Sequence, residues 1–461
     1  MVCLHFAKLA AMIRAPGNLR GWAFASTLVA SLFYGRVAHA SPEDIFGYGP
    51  RSSAMGGTTT AVSDDYEATY GNPALLSRIQ RARLVIGLSS ATYDLHAKGE
   101  GLPGRISVLP AVGSVIGVDL PLPFGGILEK RLALGFAFYT PSDVIIRGRI
   151  LYPETPQYPL YPDRSQSLAI RAGAGLDIGY GIRLGVGFGA LAEIVGSVVV
   201  ATDATGRVGS RVEDQLVAAY APVIGASFER PLLGGTFRGG VVFRGALDAR
   251  FAIDIDATKL SSINIPVFNI AGLAQYDPLQ VGAEVAWENR RWHLAAGFTY
   301  KHWSAYPGLI EPTIRCPADE PDCGSLQPVK LAFTDTIVPR VAVEHVFPLT
   351  KAASAAVRGG YFFEMTPTPS TLPASQAYDV PSQTLVPVPT RFFDASRHVL
   401  TAGFGIRITK PLIFTADTYA QLHVLHPRTV SLEAGGEGGT TSTAELSGVT
   451  VATGIVLGVG F

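Results

Sequence analysis

The C-terminal residues of the chain read Gly448-Val449-Thr450-Val451-Ala452-Thr453-Gly454-Ile455-Val456-Leu457-Gly458-Val459-Gly460-Phe461. Side chains alternate between the two faces of a β-strand, so residues two positions apart share a face. One face is apolar apart from Thr453: Val449, Val451, Ile455, Leu457, Val459 and Phe461. The other face is small apart from Val456: Gly448, Thr450, Ala452, Gly454, Gly458 and Gly460. The stretch therefore predicts a strand with one apolar face.

The segment that begins at Phe237 continues this alternation for longer. One face holds Phe237, Val241, Phe243, Leu247, Phe251, Ile253 and Ile255, and the other holds Arg238, Arg244, Asp248, Arg250, Asp254 and Asp256. A soluble β-sandwich shows the same pattern because it buries its apolar face and hydrates its charged face. Alternation alone therefore leaves a soluble sandwich and a membrane barrel open.

The spacing of the strands favours the barrel. The chain contains fourteen candidate strands, near 83–92, 111–121, 131–140, 165–177, 181–201, 213–229, 236–256, 276–288, 291–303, 331–347, 353–364, 395–409, 411–424 and 446–461. Long connections (141–164, 304–330, 365–394) alternate with short ones (179–180, 289–290, 410). Antiparallel strands place alternate connections at opposite ends, and outer-membrane barrels have short periplasmic turns and long external loops. The sequence predicts an all-β membrane protein, a 14-stranded antiparallel transmembrane β-barrel.

The first forty residues have the composition of a secretory signal. Basic Lys8, Arg14 and Arg20 precede the apolar run 22–33 and the small-x-small sequence Val37-Ala38-His39-Ala40, which predicts a cleaved signal peptide over 1–40. A short N-terminal anchor is the alternative. Cleavage of the signal peptide would remove four basic residues and leave 33 basic against 37 acidic residues, a net charge of −4. This balance gives no reason to expect nucleic acid as a partner.

Two cysteines follow the signal peptide, Cys316 and Cys323. They flank the polar sequence Pro317-Ala318-Asp319-Glu320-Pro321-Asp322. In an exported protein such a close pair predicts a local disulfide. No histidine lies nearby to complete a metal ligand set, so we expect neither a metal nor a cofactor.

Residues 41–82 lack the period of two and precede the barrel at 83–461. Asp64 with Glu67 resembles a capping box, and Asn72-Pro73 is typical of a helix start with Asn as the cap and Pro at the first helical position. So short a segment cannot form a core of its own. We expect it to be an N-terminal helical hatch that plugs the barrel lumen.

The run from Gly47 to Leu76, with its Ala-Met-Gly-Gly, Asp-Asp and Asn-Pro-Ala sequences, resembles the hatch of the long-chain fatty-acid outer-membrane transporter family, the FadL type. Weaker matches follow in order along the chain: Leu134-Gly135-Phe136 with Thr140-Pro141, Trp292 to Trp303-Ser304, Arg358-Gly359-Gly360-Tyr361, and Arg397-His398-Val399-Leu400-Thr401-Ala402-Gly403. The resemblance covers essentially all of the chain after the signal peptide.

The resemblance implies passive transport of hydrophobic compounds, either fatty acids or aromatic hydrocarbons. External loops would capture the ligand, a pocket above the hatch would hold it, and a gap in the barrel wall would release it sideways. Asn72, Pro73, Ala74 and Leu75 would lie in the hatch element that blocks the lumen and contributes to the pocket. The alternative is that Asn72-Pro73 only starts a helix, and the two interpretations are compatible.

The connection 257–275 is unusually apolar for an external loop. Ile263, Ile265, Val267, Phe268 and Ile270 are therefore candidates for a capture groove; the alternative is a loop that folds inward and caps the barrel. The connection near 202–212 is short where the family has a long capping loop, which leaves the size of the substrate open.

Five arginines fall mid-strand on faces that we assign to the lumen: Arg171, Arg238, Arg244, Arg358 and Arg397. One or two of them are candidate partners for a ligand carboxylate through charge-assisted hydrogen bonds. The alternative is that they pair with lumen carboxylates, such as Asp177, Asp248 and Glu284, or with hatch residues.

Three other functions are an enzyme, an open porin and a structural or adhesin barrel. The scattered histidines form no nucleophile–base constellation, so we do not expect an enzyme. An open porin has no use for a plug, and a structural or adhesin barrel is not excluded. We expect a monomer in the bacterial outer membrane, whose partners are a hydrophobic small molecule, outer-membrane lipids and, through the terminal aromatic Phe461, the barrel-assembly machinery.

Overall fold

The computed structural model describes residues 42–142, 152–162, 168–202, 207–259, 267–308, 313–315, 330–379, 384–435 and 441–461. The predicted signal peptide, Ile263, Ile265, Cys316 and Cys323 lie outside these ranges.

Short helices occupy the N-terminal segment: α1 (Pro42–Phe46), α2 (Pro50–Ala54), α3 (Ala68–Gly71) and a 3₁₀ helix (Pro73–Arg78). Two 3₁₀ turns lie further along, at Gly126–Leu128 and Trp303–Ala305. Gly47, Gly56 and Gly57 have positive φ, which glycine adopts at little cost, and they interrupt the helices. Within the described ranges, no helix is long and apolar enough to cross a membrane.

The described strands are β1 (Arg83–Lys98), β2 (Gly104–Ile106), β3 (Ala111–Pro121), β4 (Leu132–Pro141), β5 (Ala169–Gly179), β6 (Ile182–Thr202), β7 (Val208–Leu232), β8 (Gly235–Arg244), β9 (Leu247–Lys259), β10 (Val267–Asp277), β11 (Gln280–Glu288), β12 (Trp292–Lys301), β13 (Thr313–Arg315), β14 (Thr336–Pro348), β15 (Ala353–Glu364), β16 (Thr371–Leu372), β17 (Ala374–Asp379), β18 (Thr384–Pro389), β19 (Arg397–Ile408), β20 (Ile413–Leu425), β21 (Arg428–Glu433) and β22 (Thr441–Gly460).

Fourteen of these strands form a closed antiparallel ring in the order β1, β3, β4, β5, β6, β7, β8, β11, β12, β14, β15, β19, β20, β22. The ring closes where β22 pairs with β1, from Arg83 opposite Gly460 to Lys98 opposite Glu445. This confirms the fold class predicted from the sequence.

The outer surface of the ring is apolar. On β22 the apolar-face residues Ile455 and Leu457 are 46% and 48% exposed, while Thr450 and Ala452 on the opposite face are buried. The last outward side chain, Phe461, is also exposed. Within lipid this exposed apolar band is favourable, and the closed ring satisfies the backbone polar groups.

The turns at the two ends differ as predicted. One end, which we call the short-turn end, has the connections 122–131, 180–181, 233–234, 289–291, 349–352 and 409–412. The opposite end, the long-loop end, carries the other connections between ring strands; all of them are longer than ten residues except 203–207, which joins β6 to β7.

The prediction of a single strand over 236–256 was wrong. Strand β8 ends at Arg244, and after Gly245-Ala246 the chain leaves the ring as β9. Strand β9 pairs in parallel with β6 from Ile194 onward, beyond the point where β5 stops pairing at Leu191. The β6–β7 hairpin extends beyond the end of β5. Strand β9 therefore pairs with the backbone groups on the edge of β6 that β5 leaves free. Leu247, which the alternation places on the same face as Val241, is buried, whereas Val241 is exposed.

The connection 257–275 is also not a continuous loop. Val267, Phe268 and Ile270 belong to β10, which pairs with β9 on one side and with β13 on the other. Apolar alternation in this stretch therefore reflects a strand outside the ring. Its part in ligand capture stays a prediction.

Candidate ligand site above the hatch

The hatch, residues 42–82, packs inside the ring. Ile45, Met55, Tyr66 and Leu76 are each at most 1% exposed. Two cavities between the hatch and the wall have volumes of only about 10 and about 40 Å³. Ligand pockets usually measure about 300–1,000 Å³, so neither of these two cavities has room for a ligand, and the described part of the hatch is closed against the wall there.

Ion pairs join the hatch to the wall. Glu43 accepts a hydrogen bond from Arg171 at 2.8 Å, and Arg51 donates to Glu344 of β14 at 2.8 Å. All four side chains are at least largely buried. Ion pairs in such surroundings are costly to break, because one charge is then left without a partner.

Glu284 of β11 fixes the bend of the hatch at 59–61. Its carboxylate accepts hydrogen bonds from the backbone N–H groups of Thr59, Thr60 and Ala61 at 2.9–3.2 Å. The sequence suggested Glu284 as a partner for lumen arginines, whereas in the structure its carboxylate binds the hatch backbone.

Asn72 is the N-cap of the 3₁₀ helix, as the sequence predicts. Its side-chain oxygen accepts a hydrogen bond from Ala74 N–H at 3.1 Å, and its amide donates to the carbonyls of Thr60 at 2.8 Å and Ala226 at 3.0 Å. The side chain thus ties the helix start to another part of the hatch and to the wall.

Pro73, Ala74 and Leu75 follow as the first residues of the 3₁₀ helix and are buried. The four residues predicted for the hatch are therefore structural in the closed state, and a ligand reaches them only if the hatch moves. Their part in ligand binding stays a prediction.

The 3₁₀ helix lies against a part of the wall that lacks side chains. A Cβ atom added at Gly185 would lie 2.1 Å from Ala74 N, and one at Gly225 would lie 1.9 Å from Asn72 Oδ1. A Cβ at Gly175 would lie 2.5 Å from Pro73 O. We call Gly175, Gly185 and Gly225 the glycine surface; only glycine permits this approach of hatch to wall.

Three of the predicted lumen arginines have close partners. Arg238 forms ion pairs with Glu229 and Glu288. Arg244 donates to the carbonyls of Tyr70 at 2.8 Å and Gly71 at 3.2 Å and to Gln280 at 3.0 Å. Arg358 donates to Glu344 and Asp417 at 2.5 Å each. Arg244, like Arg171, joins the wall to the hatch, whereas Arg238 and Arg358 pair with carboxylates of the wall.

Arg397, at the start of β19, differs from these four. Its guanidinium approaches Asp394 only to 3.9 Å, both side chains being at most 5% exposed. Among the residues that the structure describes, its Nε has no hydrogen-bond partner. The guanidinium carbon lies 4.1 Å from the centre of the Tyr161 ring. Of the predicted arginines, Arg397 therefore has the most donor capacity left for a ligand.

Arg397 faces a group of rings that we call the aromatic cluster: Phe46, Tyr161, Phe362 and His423. Ring centroids are 5.4 Å apart for Phe46 and His423, 5.8 Å for Tyr161 and His423, and 6.0 Å for Phe362 and His423. Phe46 ends α1 of the hatch, and Tyr161 belongs to a connection at the long-loop end. The cluster therefore lies between the hatch and the outside.

The cluster is also tied to the hatch through Gln421. This side chain donates to the carbonyls of Phe46 at 2.9 Å and Ser53 at 2.7 Å, and its oxygen lies 3.0 Å from His423 Nε2. Sequence reasoning named Arg397 but missed Phe46, Tyr161 and His423, because they come from three separate segments and no local spacing links them.

No protein-family model matches the chain, and no match is found among curated proteins. The crystal structure of a Pseudomonas aeruginosa FadL homologue is similar with a TM-score of 0.52 and 14% identity, over 92% of this chain and 98% of that one. The P. putida toluene transporter TodX matches with a TM-score of 0.49 and 13% identity, over 91% of this chain and 99% of that one. The resemblance seen in the sequence is thus confirmed at the level of the fold: the chain has the FadL-type fold, a fourteen-stranded barrel around an N-terminal hatch.

Proposed function

We propose that the protein is a passive transporter of the bacterial outer membrane for hydrophobic molecules that carry a carboxylate, such as long-chain fatty acids. The FadL-type fold and the hydrophobic-compound transporters among its structural neighbours support the broader class. The buried guanidinium of Arg397, whose Nε has no hydrogen-bond partner among the described residues, supports a carboxylate on the ligand. The choice of substrate rests on this observation.

The chemistry of the site favours an amphipathic ligand. A buried guanidinium without a close counter-charge is unfavourable, and a carboxylate that binds it through charge-assisted hydrogen bonds relieves that cost. The adjoining rings of Phe46 and Tyr161 offer an apolar surface to the hydrocarbon chain. A ligand with both parts uses the whole site, whereas a neutral hydrocarbon uses only the rings.

Transport past the described part of the wall requires the hatch to move, because the two cavities found between them are too small for such a ligand. We place entry at the long-loop end, where displacement of Phe46 or Tyr161 opens the aromatic cluster. We place release beside the 3₁₀ helix, because withdrawal of Pro73–Arg78 from the glycine surface leaves a stretch of wall without obstructing side chains. Lateral exit there also requires local separation of the paired strands.

The test is uptake of labelled oleate and of its uncharged methyl ester by a host that lacks a transporter of its own. Arg397→Gln should lower oleate uptake about tenfold or more, the loss expected for a charge-assisted hydrogen bond, and should leave methyl oleate unchanged. Arg407→Gln is the matched control, since Arg407 lies on the same strand but is exposed.

The outcomes separate the two parts of the proposal. Uptake of both compounds no faster than in cells without the protein would overturn transport of hydrophobic molecules. Rapid oleate uptake that Arg397→Gln does not change would keep transport but remove the carboxylate from the proposal.

A further inference from the structure

The outer face of the barrel carries a groove unrelated to the hatch. It has a volume of about 500 Å³ and lies where β12, β14 and β15 adjoin. Its lining is mostly apolar and consists of Trp292, Val343, His345, Phe347, Val357, Arg358 and Gly359. The volume is within the range of sites that bind small ligands.

The strand register explains the groove. Gly359 of β15 is paired with Val343 of β14, and Trp292 of β12 is paired with His345 of β14. On one side, the ring of His345 lies 4.2 Å from that of Trp292 and 4.2 Å from that of Phe347, measured between centroids. These three rings form a ridge, and the missing side chain at Gly359 leaves a depression beside it.

The groove ends at the membrane interface. Trp292 is the first residue of β12, and Phe347 is the penultimate residue of β14, so both lie at the short-turn end. Aromatic residues are enriched at this depth in membrane barrels, at the level of the lipid headgroups. A lipid chain in the groove would therefore have its headgroup next to the turns 289–291 and 349–352.

These two turns are basic. Arg290, Arg291 and Lys351 are exposed, and the two turns contain no acidic residue. Among the described residues none of the three has an ion-pair partner. The carbonyl of Arg291 accepts a hydrogen bond from Val346 N–H at 2.7 Å, which holds the first turn against the aromatic ridge. Positive charge thus borders the open end of an apolar groove.

We propose that the groove binds one anionic phospholipid of the periplasmic leaflet. An acyl chain lies between the ridge and Val357, and the phosphate lies among Arg290, Arg291 and Lys351. Basic residues next to a membrane surface attract anionic headgroups, and the apolar groove supplies the burial of the chain. This site is independent of the transport proposed above.

Native mass spectrometry of the delipidated, folded protein tests the proposal. Dioleoylphosphatidylglycerol and dioleoylphosphatidylcholine are titrated separately and the bound lipids are counted. One phosphatidylglycerol should bind at least about tenfold more tightly than phosphatidylcholine. The variant Arg290→Gln/Arg291→Gln/Lys351→Gln should abolish this preference and leave phosphatidylcholine binding unchanged.

Gly359→Leu tests the groove itself. A Cβ at Gly359 meets nothing closer than Thr401 O at 3.8 Å, so the larger side chain fills the groove without straining the wall. It should weaken binding of both lipids about tenfold. Ala296→Leu, on an exposed position of β12 outside the groove, is the control and should change neither. Equal affinity of the wild type for the two lipids, or unchanged binding by Gly359→Leu with native heat-modifiable mobility on gels, would overturn the proposal.

Discussion

The Lys301 ammonium of β12 lies 2.8 Å from the Asp44 carboxylate of the hatch, and neither side chain reaches solvent. Glu364 of β15 lies 2.7 Å from the same ammonium. One buried cation therefore joins α1 of the hatch to two strands of the wall.

Replacement of Lys301 by Met should loosen the hatch. It leaves the carboxylates of Asp44 and Glu364 buried without their cation, a change that costs about 3–5 kcal/mol in comparable ion pairs. We expect faster protease cleavage within residues 42–82 and a larger conductance in planar bilayers. As a control, Arg105→Met removes an ion pair with Asp94 that is largely exposed, and such pairs contribute at most about 1 kcal/mol. Identical behaviour of the two variants would show that the buried pair does not hold the hatch.

Two variants at Asn72 separate its two roles. Asn72→Ala loses the N-cap, at about 0.5–2 kcal/mol, together with the hydrogen bonds to the carbonyls of Thr60 and Ala226. Asn72→Asp keeps a capping oxygen but directs a carboxylate at both carbonyls. If the amide donors matter, hydrogen exchange in Pro73–Arg78 should be fastest in Asn72→Asp. Exchange in Asn72→Asp as slow as in the wild type would mean that capping is the only role.

The glycine surface gives a prediction that involves no charge. Gly185→Ala places a Cβ about 2.1 Å from Ala74 N, so the 3₁₀ helix must move away from β6. The conductance should rise while the barrel stays folded, since alanine is compatible with a strand. Gly359→Ala adds the same methyl group to the outer face, where there is room, and should have no effect. A closed hatch in Gly185→Ala would show that the close approach is unimportant.

The barrel could be predicted because its signals are local. From Val449 to Phe461, the alternation of apolar and small residues follows directly from the geometry of a strand in lipid. The helix cap at Asn72-Pro73 is likewise predicted from two adjacent residues. These features need no knowledge of the rest of the chain.

The remaining features depend on distant parts of the sequence. Alternation continues past Arg244 into Leu247, so no local pattern marks the place where β9 leaves the ring; the free edge of β6 decides it. Lys301 and Asp44 are 257 positions apart, and Phe46 meets Tyr161 and His423 only after the ring has closed around the hatch. Predicting these contacts requires the register of strands that the sequence locates only approximately.

Glu67 gives the hatch a dependence on pH. This residue is 2% exposed and accepts hydrogen bonds from the backbone N–H groups of Arg51 at 3.0 Å and Ser52 at 2.8 Å. Burial, reinforced by the charge of Asp65, raises the pKa of Glu67 from 4.5 to about 8. Between these two values the closed hatch holds a proton that the opened hatch releases, so the closed state loses stability as the pH rises.

The expected result is a more tightly closed hatch at pH of about 5 than at about 8, with a slope of at most about 1.4 kcal/mol per pH unit. Protection factors of the Arg51 and Ser52 amides, corrected for intrinsic exchange, measure this directly. Glu67→Gln keeps the shape of the side chain but cannot ionise, so its protection should vary much less with pH. If protection in the wild type instead increased as the pH rose, the ionised carboxylate would be the form that the closed hatch binds, and the raised pKa would be wrong.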